Sequence, residues 1–196
     1  TTLAITPFMT ALIKRYSSEK KIFTKDFMKD VRFDWKVSII TSFIIIALFY
    51  HLGVSLKFFV YSFLTVILVM EAFVDIKSQI LPNSLNFIGF IVGIIYAYYI
   101  STQNIMAGLD LLLGLVVGAG IFLLIAGFAL FVYRKEGIGL GDVKLMGMLG
   151  LYFGLLNTVQ IFVSSYLFAG VIIVFLLVAK LRKADDYIAF GPYIVM

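Results

Sequence analysis

The 196-residue chain is 62% hydrophobic and only 14% charged, and its mean hydropathy is +1.08. Water-soluble domains are about half apolar, so these values exclude a soluble globular protein and predict a chain that folds in lipid. The chain contains no cysteine, which excludes disulfide bonds and thiolate metal sites. Its net charge of +5 is explained by attraction to anionic headgroups and requires no nucleic-acid partner.

Apolar segments of membrane-spanning length follow one another along the chain. Windows of about 20 apolar residues mark such spans, and six complete spans are predicted at 37–52, 57–74, 85–100, 105–132, 143–156 and 158–179. Residues 1–13 and 188–196 predict partial helices, since segments this short cannot cross a hydrocarbon core of about 30 Å. The sequence therefore predicts an all-α, polytopic transmembrane bundle that forms a single domain over residues 1–196.

Basic residues fall almost entirely on one side of these spans. Of the sixteen Lys and Arg residues, only Lys57 lies in a connection on the opposite side. The positive-inside rule places the basic connections in the cytoplasm, among them the polar connection 14–36, which lacks zinc-binding cysteines. The single histidine, His51, lies at the outer end of the first complete span, where an interfacial role is favoured over metal binding.

Glycines recur in pairs four residues apart, a spacing that places both members on one face of a helix. Small residues in this pattern allow two helices to approach closely, so the pairs predict a tightly packed bundle without indicating a dimer. The pairs are Gly89 and Gly93, Gly114 and Gly118, and Gly150 and Gly154.

Two aspartates, Asp75 and Asp142, lie at the ends of apolar spans. Two complete spans separate them, and an even number of crossings returns the chain to the side that it left, so both aspartates are predicted to face the cytoplasm. Two neighbouring carboxylates share a proton, and aspartic proteases use that state: one takes a proton from water while the other polarises the scissile carbonyl. The pair predicts peptide hydrolysis without a metal or other cofactor.

Residues beside the aspartates suggest how the chain enters and leaves the predicted site. Gly139 and Gly141 predict a flexible entry to the helix at Asp142, which would admit an extended peptide. Pro82 biases Leu81 away from the helical conformation and is predicted to end the short cytoplasmic connection that follows Asp75.

Other charged residues near the two aspartates each have two possible roles. Glu71 lies one helical turn before Asp75 inside an apolar span, and Glu136 precedes the glycines; either could bind a basic group of the substrate or hold a proton. Lys77 and Lys144 each follow an aspartate by two residues and are predicted to extend to the headgroups, with an action on the dyad as the alternative. Asp110 is predicted to lie near the opposite face and to cap or orient its own helix near the N-terminus.

Three blocks of residues together resemble the type IV prepilin peptidases, which are bacterial membrane aspartic proteases with a Gly-x-Gly-Asp motif. These blocks are Asp75-Ile76-Lys77 leading to Leu81-Pro82-Asn83, the pattern Glu-x-x-Gly-x-Gly-Asp-x-Lys-Leu at 136–145, and Phe190-Gly191-Pro192-Tyr193. The resemblance implies that Asp75 and Asp142 are the catalytic pair. It implies substrates that are type IV prepilins or pseudopilins of pilus, type II secretion or competence systems, cut at the cytoplasmic face of the inner membrane.

The same resemblance implies a second activity for many family members, methylation of the new N-terminus with S-adenosylmethionine, for which no residue of this sequence can be named. Two other hypotheses remain open. A presenilin-like or signal-peptide-peptidase-like protease shares Gly-x-Gly-Asp, but it commonly places its first aspartate within a span after tyrosine, whereas Val74 precedes Asp75 here. A transporter or assembly protein could use the same acids to carry protons or ions.

Overall fold

The computed structural model describes residues 2–18, 33–79, 81–134 and 139–179, together with Pro192 and Ile194. The regular structure of these residues is α-helical: α1 Thr2–Ser17, α2 Trp35–Leu52, α3 Leu56–Ser78, α4 Asn83–Gln103, α5 Ile105–Tyr133 and α6 Leu140–Val178. The last five helices are long and apolar enough to cross a membrane. The predicted all-α membrane bundle is therefore confirmed, and the chain is a multi-pass membrane protein.

The helices fall into two compact units, each of which is described by itself. Unit 1 contains residues 1–85 and therefore α1, α2 and α3, whereas unit 2 contains residues 86–194 and therefore most of α4 with α5 and α6. The prediction that residues 1–196 form one domain stays a prediction.

In unit 1, the three helices pack against one another. The Oδ1 atom of Asp34 accepts a hydrogen bond of 3.0 Å from the Lys36 N–H and so caps α2. Helix α1 continues to Ser17, into the first residues of the polar connection 14–36, which itself stays a prediction. Arg15 is only 2% exposed, since it lies four residues after the buried Ala11 on the same face of α1. Residues 19–32 of this connection lie outside the described residues.

In unit 2, α6 is two helical segments that meet at Gly154, whose φ of 77° and ψ of −179° are not helical. A Cβ atom built on Gly118 of α5 would lie 2.6 Å from the carbonyl oxygen of Met146 and 2.9 Å from Cγ2 of Thr158. Those two residues would be about 18 Å apart along a straight helix. The chain therefore reverses at Gly154, and the two segments correspond to the predicted spans 143–156 and 158–179.

A carboxylate from α5 caps the helix that begins after this reversal. The Oδ1 atom of Asp110 accepts a hydrogen bond of 3.3 Å from the Leu155 N–H, at the start of the second segment of α6. The expectation that Asp110 caps its own helix was wrong, because the side chain of Asn104 accepts from the Met106 N–H at the start of α5. Asp110 instead stabilises the reversal.

The glycine pairs lie where helices of unit 2 touch, which confirms the close packing predicted from their spacing. A Cβ on Gly150 would collide with the backbone of Gly114, so α5 and α6 approach each other at the distance that only glycine allows. Met148 packs in the same way against Gly89 of α4. The buried Tyr152 hydroxyl also donates a hydrogen bond of 2.7 Å to the Gly89 carbonyl oxygen, which fixes α4 against the first segment of α6.

Candidate active site

Asp75 lies in the last turn of α3, within unit 1, and is 5% exposed. The helix ends because Gln79 adopts the left-handed conformation, and its N–H donates a hydrogen bond of 2.8 Å to the Asp75 carbonyl oxygen. Leu81 and Pro82 are not helical, and α4 begins directly after them. Helix α4 thus begins where Pro82 was predicted to end this connection, and the role of Pro82 itself stays a prediction.

Asp142 lies in the first turn of α6, within unit 2, and is 8% exposed. Its backbone N–H donates a hydrogen bond of 3.1 Å to the carbonyl oxygen of Gly139, which directly precedes the helix. Gly141 belongs to the first helical turn itself. A carboxylate at this place is favoured by the positive end of the helix macrodipole. The flexible entry expected at the two glycines stays a prediction.

Tyr166 is a candidate site residue that the sequence did not indicate. It lies on the second segment of α6, and its ring stacks at a tilt on Phe162 with 4.6 Å between the ring centroids. The reversal at Gly154 brings Tyr166 near enough to Asp142 for the two side chains to interact electrostatically. The predicted spans 143–156 and 158–179 already imply a reversal between these two residues, but no sequence pattern distinguishes Tyr166 from the other residues of the second span.

Glu71 is fully buried in unit 1, one turn before Asp75 on α3. Neither of its carboxyl oxygens has a hydrogen-bond partner among the residues that the structure describes. Burying a polar group without a partner costs about 1–3 kcal/mol, and a buried charge costs more. A group that is retained at such a cost in a membrane helix is a functional candidate, although its role stays a prediction.

We expect Glu71→Met to stabilise the protein by about 1–3 kcal/mol, because it replaces an unsatisfied buried carboxyl with an apolar side chain of similar length. Thermal unfolding in detergent, followed by circular dichroism, measures the change. Glu71→Gln is the matched variant and should gain little, since its amide would also lack partners. A Met variant that is less stable than the parent would show that the carboxyl is paired in the folded protein.

Of the other residues that the sequence predicted for the site, some are described by the structure and some are not. Lys77 and Lys144 are both exposed, as expected for side chains that extend to headgroups. Glu136 lies outside the described residues, and so does the Phe-Gly-Pro-Tyr block except for Pro192. Each aspartate is described within its own unit, so the convergence of the two carboxylates stays a prediction.

A multi-pass helical protein that holds two nearly buried aspartates at helix ends belongs to the class of membrane proteins whose embedded acids mark a functional site. The family model of the type IV leader peptidases matches residues 58–175, a segment that contains both aspartates. The chain therefore belongs to the type IV leader peptidase family, as its resemblance to the prepilin peptidases predicted.

Two curated proteins agree with this assignment. A prepilin leader peptidase/N-methyltransferase of Xanthomonas campestris pv. campestris is 29% identical over 161 residues, which cover 82% of this chain and 55% of that protein. One of the same description from Stutzerimonas stutzeri is 30% identical over 152 residues, which cover 75% of this chain and 50% of that protein. The chain thus spans about half the length of these relatives. No solved structure matched the chain.

Proposed function

We propose that this chain is a membrane aspartic endopeptidase that removes the short basic leader from type IV prepilins or pseudopilins. One observation carries the proposal: the segment that matches the leader peptidase family places two nearly buried aspartates at the ends of membrane-length helices. Two such helices, α4 and α5, separate the aspartates along the chain, which supports their placement on one side of the membrane. The positive-inside bias makes that side the cytoplasm.

The two aspartates occupy opposite kinds of helix end, and this difference suggests their roles. Asp142 lies at the positive end of the α6 macrodipole, which favours a carboxylate that can take a proton from water. Asp75 lies at the negative end of α3, one turn from the buried Glu71, which suits a carboxylic acid that hydrogen-bonds the scissile carbonyl oxygen. The hydroxyl of that water would then add to the carbonyl carbon, Asp142 would give the proton that it took to the amide nitrogen, and the C–N bond would break to release the amine.

The substrate follows from the charge distribution of the chain. A basic leader stays on the cytoplasmic side for the same reason as the basic connections of this protein, so it would meet a cytoplasmic dyad. The apolar segment that follows such a leader can lie in the bilayer beside the helices. A short basic leader joined to an apolar helix is the substrate that this arrangement serves best.

Methyl transfer is named for both relatives and would require S-adenosylmethionine. That cofactor carries a net positive charge at neutral pH. A pocket of unit 1 is lined, among the residues that the structure describes, by Lys14, Lys36 and Lys77 and by one acid, Asp34, so the charge of these residues does not fit the cofactor. The proposed function is therefore proteolysis, and the experiment below also reports any methyl transfer.

Mass spectrometry of a prepilin incubated with the purified protein tests the proposal. We expect one cut that releases the basic leader, together with an intact generic signal peptide in a parallel reaction, and no need for added metal. Including S-adenosylmethionine in a second reaction reports any added methyl group in the same spectrum. Cleavage of the signal peptide instead would favour a presenilin-like or signal-peptide-peptidase-like protease. An uncut prepilin would favour a transporter or assembly protein.

A further inference from the structure

Three helix ends of unit 1 enclose a pocket of about 450 Å³. Its lining includes Lys14 from the last turn of α1, Lys36 from the first turn of α2 and Lys77 from the last turn of α3. Lys14 and Lys36 lie outside the segment that matches the leader peptidase family, so the pocket extends beyond the part of the chain that the family defines.

The charge of the pocket suits an anion. Three lysines from three separate helices line it, and Asp34 is the one acidic residue among its described lining residues. The Asp34 carboxylate already accepts a hydrogen bond from the Lys36 backbone as the cap of α2. Lysine acts as a flexible point charge that binds phosphate well. The surplus of positive charge also makes the pocket unsuitable for a basic leader peptide.

The rest of the lining is apolar and aromatic, as expected for a site at the membrane surface. The wall includes Ile13, Val37 and Phe73. The pocket is also lined by Trp35 and Phe33, which have 61% and 57% of their surfaces exposed. Tryptophan at the end of a membrane helix is typical of the headgroup level. A soluble phosphate would gain nothing from these apolar walls, whereas the glycerol and upper acyl carbons of a lipid would.

We propose that this pocket binds the phosphate of an anionic phospholipid headgroup, with Lys36 and Lys77 as its principal cationic contacts. Basic pockets between membrane helices are known to hold such headgroups, and each basic side chain near the surface contributes a comparable electrostatic attraction. The lipid site does not depend on the proposed proteolysis, because lipid binding requires no peptide substrate and involves neither Asp75 nor Asp142. It would fix the ends of α1, α2 and α3 against one lipid molecule.

Trp35 is the single tryptophan of the chain and lines the pocket, so its fluorescence reports on this site alone. The protein is reconstituted in phosphatidylcholine with small fractions of brominated phosphatidylglycerol or, for comparison, brominated phosphatidylcholine, and quenching of Trp35 is measured. We expect a preference for phosphatidylglycerol of about 25-fold, from about five-fold for each of the two lysines. The double variant Lys36→Gln/Lys77→Gln should lower that preference by about five-fold for each lysine removed, to near equality.

Two controls separate the site from general charge and from soluble phosphate. Lys57→Gln removes an exposed lysine at the other end of α3 and should keep the preference, as should the charge-conserving Lys36→Arg/Lys77→Arg. Inorganic phosphate at millimolar concentration should not displace the brominated lipid. Equal quenching by the two lipids in the parent, an unchanged preference in the double glutamine variant, or displacement by inorganic phosphate would each overturn the assignment.

Discussion

Asp75→Asn and Asp142→Asn should each abolish cleavage of a prepilin, with a rate at least about 10²–10⁴-fold below that of the parent. Asparagine has nearly the shape of aspartate, so each variant should still fold and insert. Its amide can neither take a proton from water nor give one to the substrate, and a dyad needs both functions. Because the two carboxylates act as one unit, the double variant should be no less active than either single variant.

The matched control is Asp110→Asn, which makes the same chemical change on α5. The side-chain oxygen of asparagine can still accept the Leu155 N–H, and asparagine caps helices as well as aspartate does. This variant should therefore cleave at the rate of the parent. Full activity of either Asp75→Asn or Asp142→Asn, in protein whose insertion and thermal unfolding match the parent, would remove the dyad from the mechanism.

The sequence predicted those features of the fold that depend on residues close together in the chain. Apolar length located the spans, since a membrane helix must satisfy its backbone internally over about 20 residues. Pro82 located the start of α4, because a proline and the residue before it resist the helical conformation. Asp75 and Asp142 stood out for a similar reason, as acids at the ends of segments that otherwise exclude charge.

The features that the sequence did not predict depend on contacts between residues far apart in the chain. The sequence predicted a division between the spans 143–156 and 158–179, yet the break lies at Gly154, where Asp110 of α5 caps the following segment. The electrostatic influence of Asp142 on Tyr166 also depends on that reversal. Arg15 belongs to the predicted polar connection 14–36, and its burial depends on how α1 packs in unit 1.

Gly154→Ala should destabilise the protein by about 2–4 kcal/mol, with a clear fall in the midpoint of thermal unfolding in detergent. Two costs contribute to this change. The φ of 77° and ψ of −179° belong to a region of conformational space that is essentially reserved for glycine, and entering it costs about 1–3 kcal/mol. The added Cβ would also collide with the Asp110 carboxylate and displace the cap from Leu155.

Gly120→Ala is the control, because a Cβ at Gly120 of α5 meets no atom within 4 Å. Alanine is the better helix former by about 1 kcal/mol, so this variant should keep or slightly raise the stability. Prepilin cleavage should fall in Gly154→Ala if the reversal is what brings the second segment of α6, and with it Tyr166, to Asp142. A Gly154→Ala protein as stable as Gly120→Ala would mean that the chain does not reverse at this residue, and the assignment of Tyr166 to the site would fail with it.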